Sequence, residues 1–156
     1  MELRRKKKMG DLTEHFNKWE FKCPCSECKH RKIHIDLNLV YRLEEIREII
    51  GNKPINITSG VRCKAENIRS GGDSNSPHVL GKAADMQIKG VKPVEVALMA
   101  ELVDGIRIGV YPSHTHIDVM PANPSRFWLV KKYNQTPIYS GYENDLEKFL
   151  RKEKYI

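Results

Sequence analysis

Apolar side chains recur every three or four residues between residues 39 and 50, a spacing typical of one buried face of a helix. Asp36 lies where an N-cap is expected, and Gly51 directly follows the last apolar position. The pattern therefore predicts a helix bounded by these two residues. Its apolar stripe consists of Leu39, Leu43, Ile46 and Ile50, widened by Val40.

A second helix is predicted to begin at Lys92-Pro93 and to end at Asp104-Gly105. Proline suits the first turn of a helix, and glycine commonly follows its last turn. The predicted buried stripe of this helix consists of Val94, Ala97, Leu98 and Leu102.

Alternating apolar and polar positions predict strands elsewhere in the chain. In the segment 83–88, Ala84, Met86 and Ile88 face one way, whereas Asp85 and Gln87 face the other. Residues 64–77 are rich in turn-forming residue types and predict a loop. The combination indicates an α+β fold, in which a small antiparallel sheet has helices packed on one side. The other predicted strands are residues 55–58, 106–110, 116–119 and 126–131.

The chain length and composition are those of an ordinary globular domain, with 156 residues, 40% of them hydrophobic and 30% charged. We expect a basic disordered arm at residues 1–10 and a single domain at residues 11–156. No apolar run approaches the ~20 residues of a membrane span. No apolar segment follows the basic N-terminus, so a secretion signal is not readable.

The formal net charge of +7 is concentrated partly at the two ends of the chain. Such ends are either solvated tails or segments attracted to a polyanion, which is nucleic acid or an anionic cell wall. Aromatic residues are not interleaved with these bases as in nucleic-acid-binding motifs, so we do not expect a nucleic-acid partner. The basic C-terminal residues are Lys148, Arg151, Lys152 and Lys154.

Polar residues interrupt two of the predicted strands. Asp85 lies in an otherwise apolar strand, and His116 and Asp118 flank Ile117 in another. A charge that faces the interior of a protein requires a partner. With His78, these residues supply two imidazoles and a carboxylate, a ligand set that leaves the fourth position of zinc open for water.

These residues belong to a longer pattern that is similar to a known family. The pattern reads Ile57-Thr-Ser-Gly-Val-Arg-Cys63, Asn67, Gly71-Gly72, Ser76-x-His78-x-x-Gly81-x-Ala-x-Asp85 and His116-Ile-Asp118. It resembles the zinc D-Ala-D-Ala carboxypeptidase family, which includes phage and bacterial peptidoglycan peptidases and has the Hedgehog signalling domain as a structural relative. The resemblance covers residues 21–128.

The resemblance implies one zinc ion per chain, bound by His78, Asp85 and His116. It also implies that Arg62 is a fixed cation for the carboxylate of the substrate or for a developing oxyanion. Ser76 is a further candidate for contact with the substrate or for support of the loop.

A hydrolase of this kind also needs a group that accepts a proton from water. Several members of the family have a glutamate three residues before the last histidine ligand, where this chain has Ser113. His114 is the nearest candidate for the base. Asp118 is an alternative base, or a partner that orients an imidazole.

The resemblance implies a zinc metallopeptidase that acts on peptidoglycan or muropeptides. The cleaved bond would contain a D-amino acid, as for a D-Ala-D-Ala carboxypeptidase or an L-Ala-D-Glu-type endopeptidase. Because the glutamate is absent, a non-catalytic zinc-stabilised module that binds cell wall or protein is the alternative. We expect a monomer without a membrane segment, made in the cytoplasm and reaching the cell wall by release in the manner of a phage endolysin.

The four cysteines leave three interpretations open. Cys23, Cys25 and Cys28 lie close together, whereas Cys63 is distant in sequence. A metal knuckle would use Cys25, Cys28, His30 and one more ligand. A disulfide would join Cys63 to Cys23 or Cys25 in an oxidising compartment. Reduced thiols are the third interpretation.

Overall fold

A computed structural model describes residues 10–28 and 34–156. The predicted arm, apart from Gly10, and the candidate ligand His30 therefore lie outside the described residues. The helices are α1 (Leu37–Ile49), α2 (Lys64–Arg69), α3 (Pro93–Ala100) and α4 (Leu146–Lys152). The strands are β1 (Asn56–Ser59), β2 (Ala83–Gln87), β3 (Arg107–Val110), β4 (Thr115–Asp118), β5 (Phe127–Leu129) and β6 (Ile138–Tyr139). Two short 3-10 helices, Lys18–Phe21 and Ser26–Cys28, precede α1.

Within the described ranges, the strands form one six-stranded sheet in the order β1-β2-β4-β3-β5-β6. Neighbouring strands run antiparallel except for β3 and β5, which pair in parallel. The α+β prediction is confirmed, and the sheet is mainly antiparallel as expected. The parallel pair arises because the segment between β4 and β5 carries the chain back across β3 before β5 begins.

One face of the sheet supports the hydrophobic core. Ala84, Met86, Ile108 and Ile117 are fully buried there and belong to one cluster with apolar residues of α1, α3 and α4. The Thr115 hydroxyl donates a 2.7 Å hydrogen bond to a carbonyl oxygen at the start of α3 and fastens this helix to β4. Because side chains alternate along a strand, the residues between these core positions point to the opposite face.

The predicted helix after Asp36 is confirmed as α1. The Asp36 carboxylate accepts a hydrogen bond from the Asn38 amide at 2.9 Å, which is the expected N-cap. Gly51 follows the helix in the left-handed region, with a φ of +79°. The predicted stripe residues of α1 are all buried.

Two predictions about the middle of the chain were partly wrong. Residues 64–69 of the predicted loop form α2, whose Cys63 N-cap accepts a hydrogen bond from the Glu66 amide. The hydrophobic pattern gave no sign of α2 because its apolar residue Ile68 is exposed. In the second predicted helix, Leu102 is 73% exposed because α3 ends at Ala100. The buried residues of α3 are Val96, Ala97 and Ala100.

The C-terminal segment is also not the solvated tail that its charge suggested. Its basic residues Lys148, Arg151 and Lys152 lie on α4, whose opposite face is buried in the core. The buried residues of α4 are Leu146, Phe149 and Leu150. Among the described residues, no helix combines the length and the apolar character needed to cross a membrane.

Candidate metal centre

The structure brings His78, Asp85 and His116 together on the face of the sheet opposite the core. Asp85 and His116 are direct partners in the β2–β4 pair. His116 Nδ1 lies 2.9 Å from Asp85 Oδ1, and His78 Nε2 lies 3.3 Å from both of these atoms. All three residues are more than nine-tenths buried. Three predicted ligands from two strands and a loop therefore converge on one point.

The spacing of these donor atoms fits a zinc ion. Zinc binds imidazole nitrogen and carboxylate oxygen at about 2.0–2.1 Å, so two ligand atoms of a tetrahedral site lie about 3.3 Å apart. The observed separations of 2.9–3.3 Å match that value. Nitrogen and oxygen donors of this kind also suit zinc chemically.

His78 lies on the loop that precedes β2, and its ring is oriented by Gly60, which directly follows β1. Its Nδ1 donates to the Gly60 carbonyl oxygen at 2.7 Å, which leaves Nε2 free to face the other two residues. Ser76 Oγ accepts a hydrogen bond from the His78 amide at 3.3 Å. Gly81 ends the turn with a φ of +69°, and a side chain there would collide with the carbonyl oxygen of His34.

His116 is oriented by Asp118, two residues further along β4. Its Nε2 donates to Asp118 Oδ2 at 3.0 Å, so Nδ1 faces the centre. Arg107, the partner of Asp118 in the β3–β4 pair, donates to both carboxylate oxygens at 2.7 and 2.9 Å. Asp118 is fully buried, and both of its oxygens are engaged on the side of His116 away from the candidate ligand atoms.

Asp85 binds Arg62 through the oxygen that is not directed at the two imidazoles. Arg62 donates from Nη2 to Asp85 Oδ2 at 3.0 Å and from Nε to Ser59 Oγ at 2.8 Å. A bulge in β1 between Ile57 and Ser59 places Ser59 opposite Asp85. Arg62 is therefore a fixed cation at the edge of the centre.

His114 lies next to the candidate ligands, just before β4 begins. Its Nε2 is 3.8 Å from Asp85 Oδ2, and 24% of its side chain remains exposed. The ring stacks on Tyr111 with a centroid separation of 4.4 Å and an interplanar angle of 15°. Ser113 Oγ lies 3.0 Å from His114 Nδ1. The partly exposed imidazole is thus held at the rim of the centre.

The electrostatics of the centre favour positive charge among the ligand atoms. Burial by itself would raise the pKa of Asp85, but hydrogen bonds with His116 and His78 lower that pKa well below its usual value. Burial would likewise lower the pKa of His116, but Asp118 and Asp85 outweigh it and raise this pKa to about 9. The two carboxylates that contact His116 therefore favour a positive charge at this centre.

The pKa values of His114, at the rim, and of the buried Asp118 are also shifted. Burial lowers the pKa of His114, and the Asp85 carboxylate opposes that effect only in part. The pKa of Asp118 is raised by burial but lowered further by His116 and Arg107, so that it falls below its usual value. His114 therefore favours the neutral imidazole, whereas Asp118 favours the carboxylate.

The sequence did not predict a role at the centre for Arg107, Tyr111 and Trp128. The Trp128 ring packs against His116 with centroids 5.0 Å apart, and its Nε1 donates to Tyr111 Oη at 3.1 Å. It occupies the space above Gly109, where a Cβ would lie 2.6 Å from that nitrogen. Sequence alternation could have placed Arg107 on the polar face of β3, but its pairing with Asp118 depends on the strand register.

Comparisons with known proteins identify the family to which the chain is similar. A family model described as Peptidase M15 matches residues 14–119. The chain is also 31% identical over 91 residues to a zinc D-Ala-D-Ala carboxypeptidase of Streptomyces albus G. That alignment covers 57% of this chain and 36% of the relative, so the chain spans well under two thirds of the length of that protein. All of the candidate ligands lie inside the residues that match the family model.

Proposed function

The chain belongs to the peptidase M15 family, and we propose that it is a zinc-dependent peptidase that hydrolyses a D-amino-acid-containing bond in peptidoglycan stem peptides. The observation that carries this proposal is the convergence of His78 Nε2, Asp85 Oδ1 and His116 Nδ1 at separations of 2.9–3.3 Å, beside the partly exposed His114. The Streptomyces relative is a zinc D-Ala-D-Ala carboxypeptidase, which supports the choice of substrate class.

In this proposal, the three converging side chains hold one zinc ion. Zinc in such a three-ligand site activates water and polarises the scissile carbonyl group. Gly60 and Asp118 act through the two imidazoles, because each accepts a hydrogen bond from the ring nitrogen that faces away from the centre. Such partners fix the tautomer and the ring orientation of a ligand.

His114 takes the role of general base. Burial lowers the pKa of its imidazole, which favours the neutral form, and the partly exposed ring places Nε2 3.8 Å from Asp85 Oδ2. His114 Nε2 accepts the proton of the attacking water and returns it to the leaving amine. Tyr111 stacks on the ring and limits its rotation. Asp118 has the orienting role, since both of its oxygens are engaged by Arg107 and His116.

Arg62 binds a negatively charged group of the substrate. Its Nε and Nη2 are engaged by Ser59 and Asp85, whereas Nη1 makes no hydrogen bond to another described residue. The guanidinium is therefore fixed in place, with one donor nitrogen available for a carboxylate or a developing oxyanion. Ser76 supports the loop that carries His78, since its hydroxyl oxygen accepts a hydrogen bond from the His78 amide. We keep Ser76 as a candidate for a second contact with the substrate.

The test is digestion of purified peptidoglycan and of a stem pentapeptide, with mass spectrometry of the products. The protein is compared as zinc-loaded, chelator-treated and zinc-restored samples. Loss of the terminal D-Ala would identify a carboxypeptidase, and cleavage between L-Ala and D-Glu would identify an endopeptidase. Binding to the wall without hydrolysis in any zinc-loaded sample would reject the peptidase and favour a binding module.

A further inference from the structure

A second cluster of metal-binding side chains lies outside the centre described above. Cys23, Cys25, Cys28 and Cys63 come from two segments far apart in the sequence, yet their four sulfur atoms all lie within 4.8 Å of one another. All four are free thiols. The Cys23–Cys28 segment lies against the start of α2, where Cys63 is the N-cap.

The distances in this cluster fit a tetrahedral metal site better than disulfides. Zinc binds thiolate at about 2.3 Å, so two sulfur atoms of a tetrahedral site lie about 3.8 Å apart. Cys25 Sγ and Cys63 Sγ are 3.4 Å apart, which is far longer than the S–S bond of about 2.05 Å. Cys25 and Cys28 also have the C-x-x-C spacing common to structural zinc sites.

Backbone amide groups are directed at the sulfur atoms, as negatively charged thiolates require. The Cys63 amide donates to Cys23 Sγ at 3.3 Å, and the Glu66 amide donates to Cys63 Sγ at 3.4 Å. Lys22 and Lys64 adjoin the cluster in sequence. These donors and cations suit a site in which four thiolates outweigh the charge of a divalent ion.

We propose that Cys23, Cys25, Cys28 and Cys63 bind a second, structural zinc ion. The four thiolates close its coordination shell, whereas the three ligands of the first centre leave a position open. In this proposal, Cys23 and Cys63 take the places that the predicted metal knuckle gave to His30 and to an unnamed fourth ligand. The proposal favours metal binding over the other two interpretations of the cysteines, a disulfide and reduced thiols.

The second zinc links the first centre to the N-terminal part of the chain. Cys63 directly follows Arg62, which binds Asp85. A metal bridge from Cys63 to the Cys23–Cys28 segment closes a loop of some forty residues. Such a link stabilises the folded chain. The second zinc ion therefore holds Arg62 in position through the adjacent Cys63, and it does not itself contact the substrate.

The experiment uses the full chain with His116→Ala, which removes a ligand of the first centre and leaves all cysteines intact. Metal analysis is expected to find about one zinc ion per chain in this variant and about two in the parent. X-ray absorption at the zinc edge of the variant is expected to show zinc–sulfur distances of about 2.3 Å without the shorter distances of nitrogen or oxygen ligands. This result does not depend on whether the first centre is catalytic.

Cys28→Ser in the parent provides the complementary measurement, with Ser26→Ala in the same segment as its control. We expect Cys28→Ser to lose about one zinc ion per chain and to unfold at a lower temperature, whereas Ser26→Ala keeps both properties. Zinc-free thiols, two disulfides by mass spectrometry, or iron in place of zinc in the purified parent would overturn the proposal. These outcomes can be read even if Cys28→Ser does not fold.

Discussion

Each imidazole of the proposed zinc centre is held by a hydrogen bond at the nitrogen that does not face the other ligands. The Gly60 carbonyl oxygen holds His78 Nδ1, and Asp118 holds His116 Nε2. The two histidines therefore present different ring nitrogens to the same point. Single residues outside the ligand set thus decide how the ligands are presented.

His114→Ala tests the general base. The variant is expected to keep zinc, since the three ligands remain, and to lose about two to four orders of magnitude in kcat/KM, the usual effect of a positioned acid–base group. Hydrolysis of a stem pentapeptide and the zinc content are measured on the same preparation. His34→Ala, at an exposed histidine outside the centre, is the control and should match the parent. A loss of less than tenfold in His114→Ala would exclude His114 as the base.

Asp118→Asn tests the orienting role. The amide keeps the shape of the side chain but cannot accept from Arg107 and His116 with both of its polar atoms. We expect zinc affinity to fall by about 10–100-fold, as for other residues that orient a metal ligand. Competition with a chromophoric chelator measures this affinity. Unchanged zinc affinity together with abolished hydrolysis would instead make Asp118 the base.

At the level of elements, three neighbouring strands provide the platform for the proposed centre. β2 and β4 pair Asp85 with His116, and β3 places Arg107 beside Asp118 and Gly109 beside His116. The alternate positions of the same strands are fully buried in the core. A shift of one residue in register would move the ligands to the core face, so core packing also maintains the metal site.

The C-terminal helix is expected to stabilise the fold rather than act as a tail. Phe149 is 3% exposed, and its truncation to alanine should lower the free energy of unfolding by about 3–5 kcal/mol. Lys152→Ala, at an exposed position of the same helix, should change it by less than about 0.5 kcal/mol. Urea unfolding of both variants measures the difference. Equal stabilities would mean that α4 contributes little to the core.

The N-terminal segment before α1 is fastened by Glu44, which accepts hydrogen bonds from the Thr13 hydroxyl at 2.6 Å and the His15 amide at 2.8 Å. Burial raises the pKa of Glu44, but the hydrogen bonds with Thr13 and His15 prevail and lower it. A lowered pKa in the folded state stabilises the protein above the unfolded-state pKa of about 4.3. This contribution is lost as the pH falls through the folded-state pKa.

Glu44→Gln should therefore be less stable than the parent at pH 7, and the difference should shrink as the pH falls below about 4. Thermal unfolding of both proteins across this pH range provides the measurement. The Glu44 carboxylate contacts Thr13 and His15 rather than a candidate zinc ligand, so zinc content should stay constant. A difference that grows at low pH would contradict the role assigned to the carboxylate.

At the scale of the whole molecule, hydrophobic periodicity predicted α1 and β2, and polar interruptions of strand patterns indicated Asp85 and His116. The ligand role of His78, which lies in a loop, was implied by the family resemblance. Periodicity succeeded where apolar side chains are buried at regular spacing, as in α1. It failed for α2, which buries Asn67 rather than an apolar residue. The C-terminal segment was interpreted from its charge alone. The helical spacing of its apolar residues Leu146, Phe149 and Leu150 is that of the buried face of α4.

Contacts that depend on tertiary structure could not be predicted from the sequence. The pairing of Arg107 with Asp118 requires the β3–β4 register, and the packing of Trp128 over Gly109 requires the parallel β3–β5 pair. The clustering of Cys63 with the other cysteines requires the fold to bring together segments some forty residues apart. Such contacts join segments whose relative positions depend on the whole fold and not on the local hydrophobic pattern of either segment.

The most direct test of the proposed zinc centre is the recovery of stem-peptide hydrolysis when zinc is returned to chelator-treated protein. The recovery is compared between the parent and His116→Ala. The parent is expected to be inactive without zinc and to regain its full rate as zinc is added. The variant is expected to stay at background at every zinc concentration, because one of the three ligands is gone. Recovery of the parent rate by His116→Ala, or hydrolysis by the zinc-free parent, would contradict the proposed zinc centre.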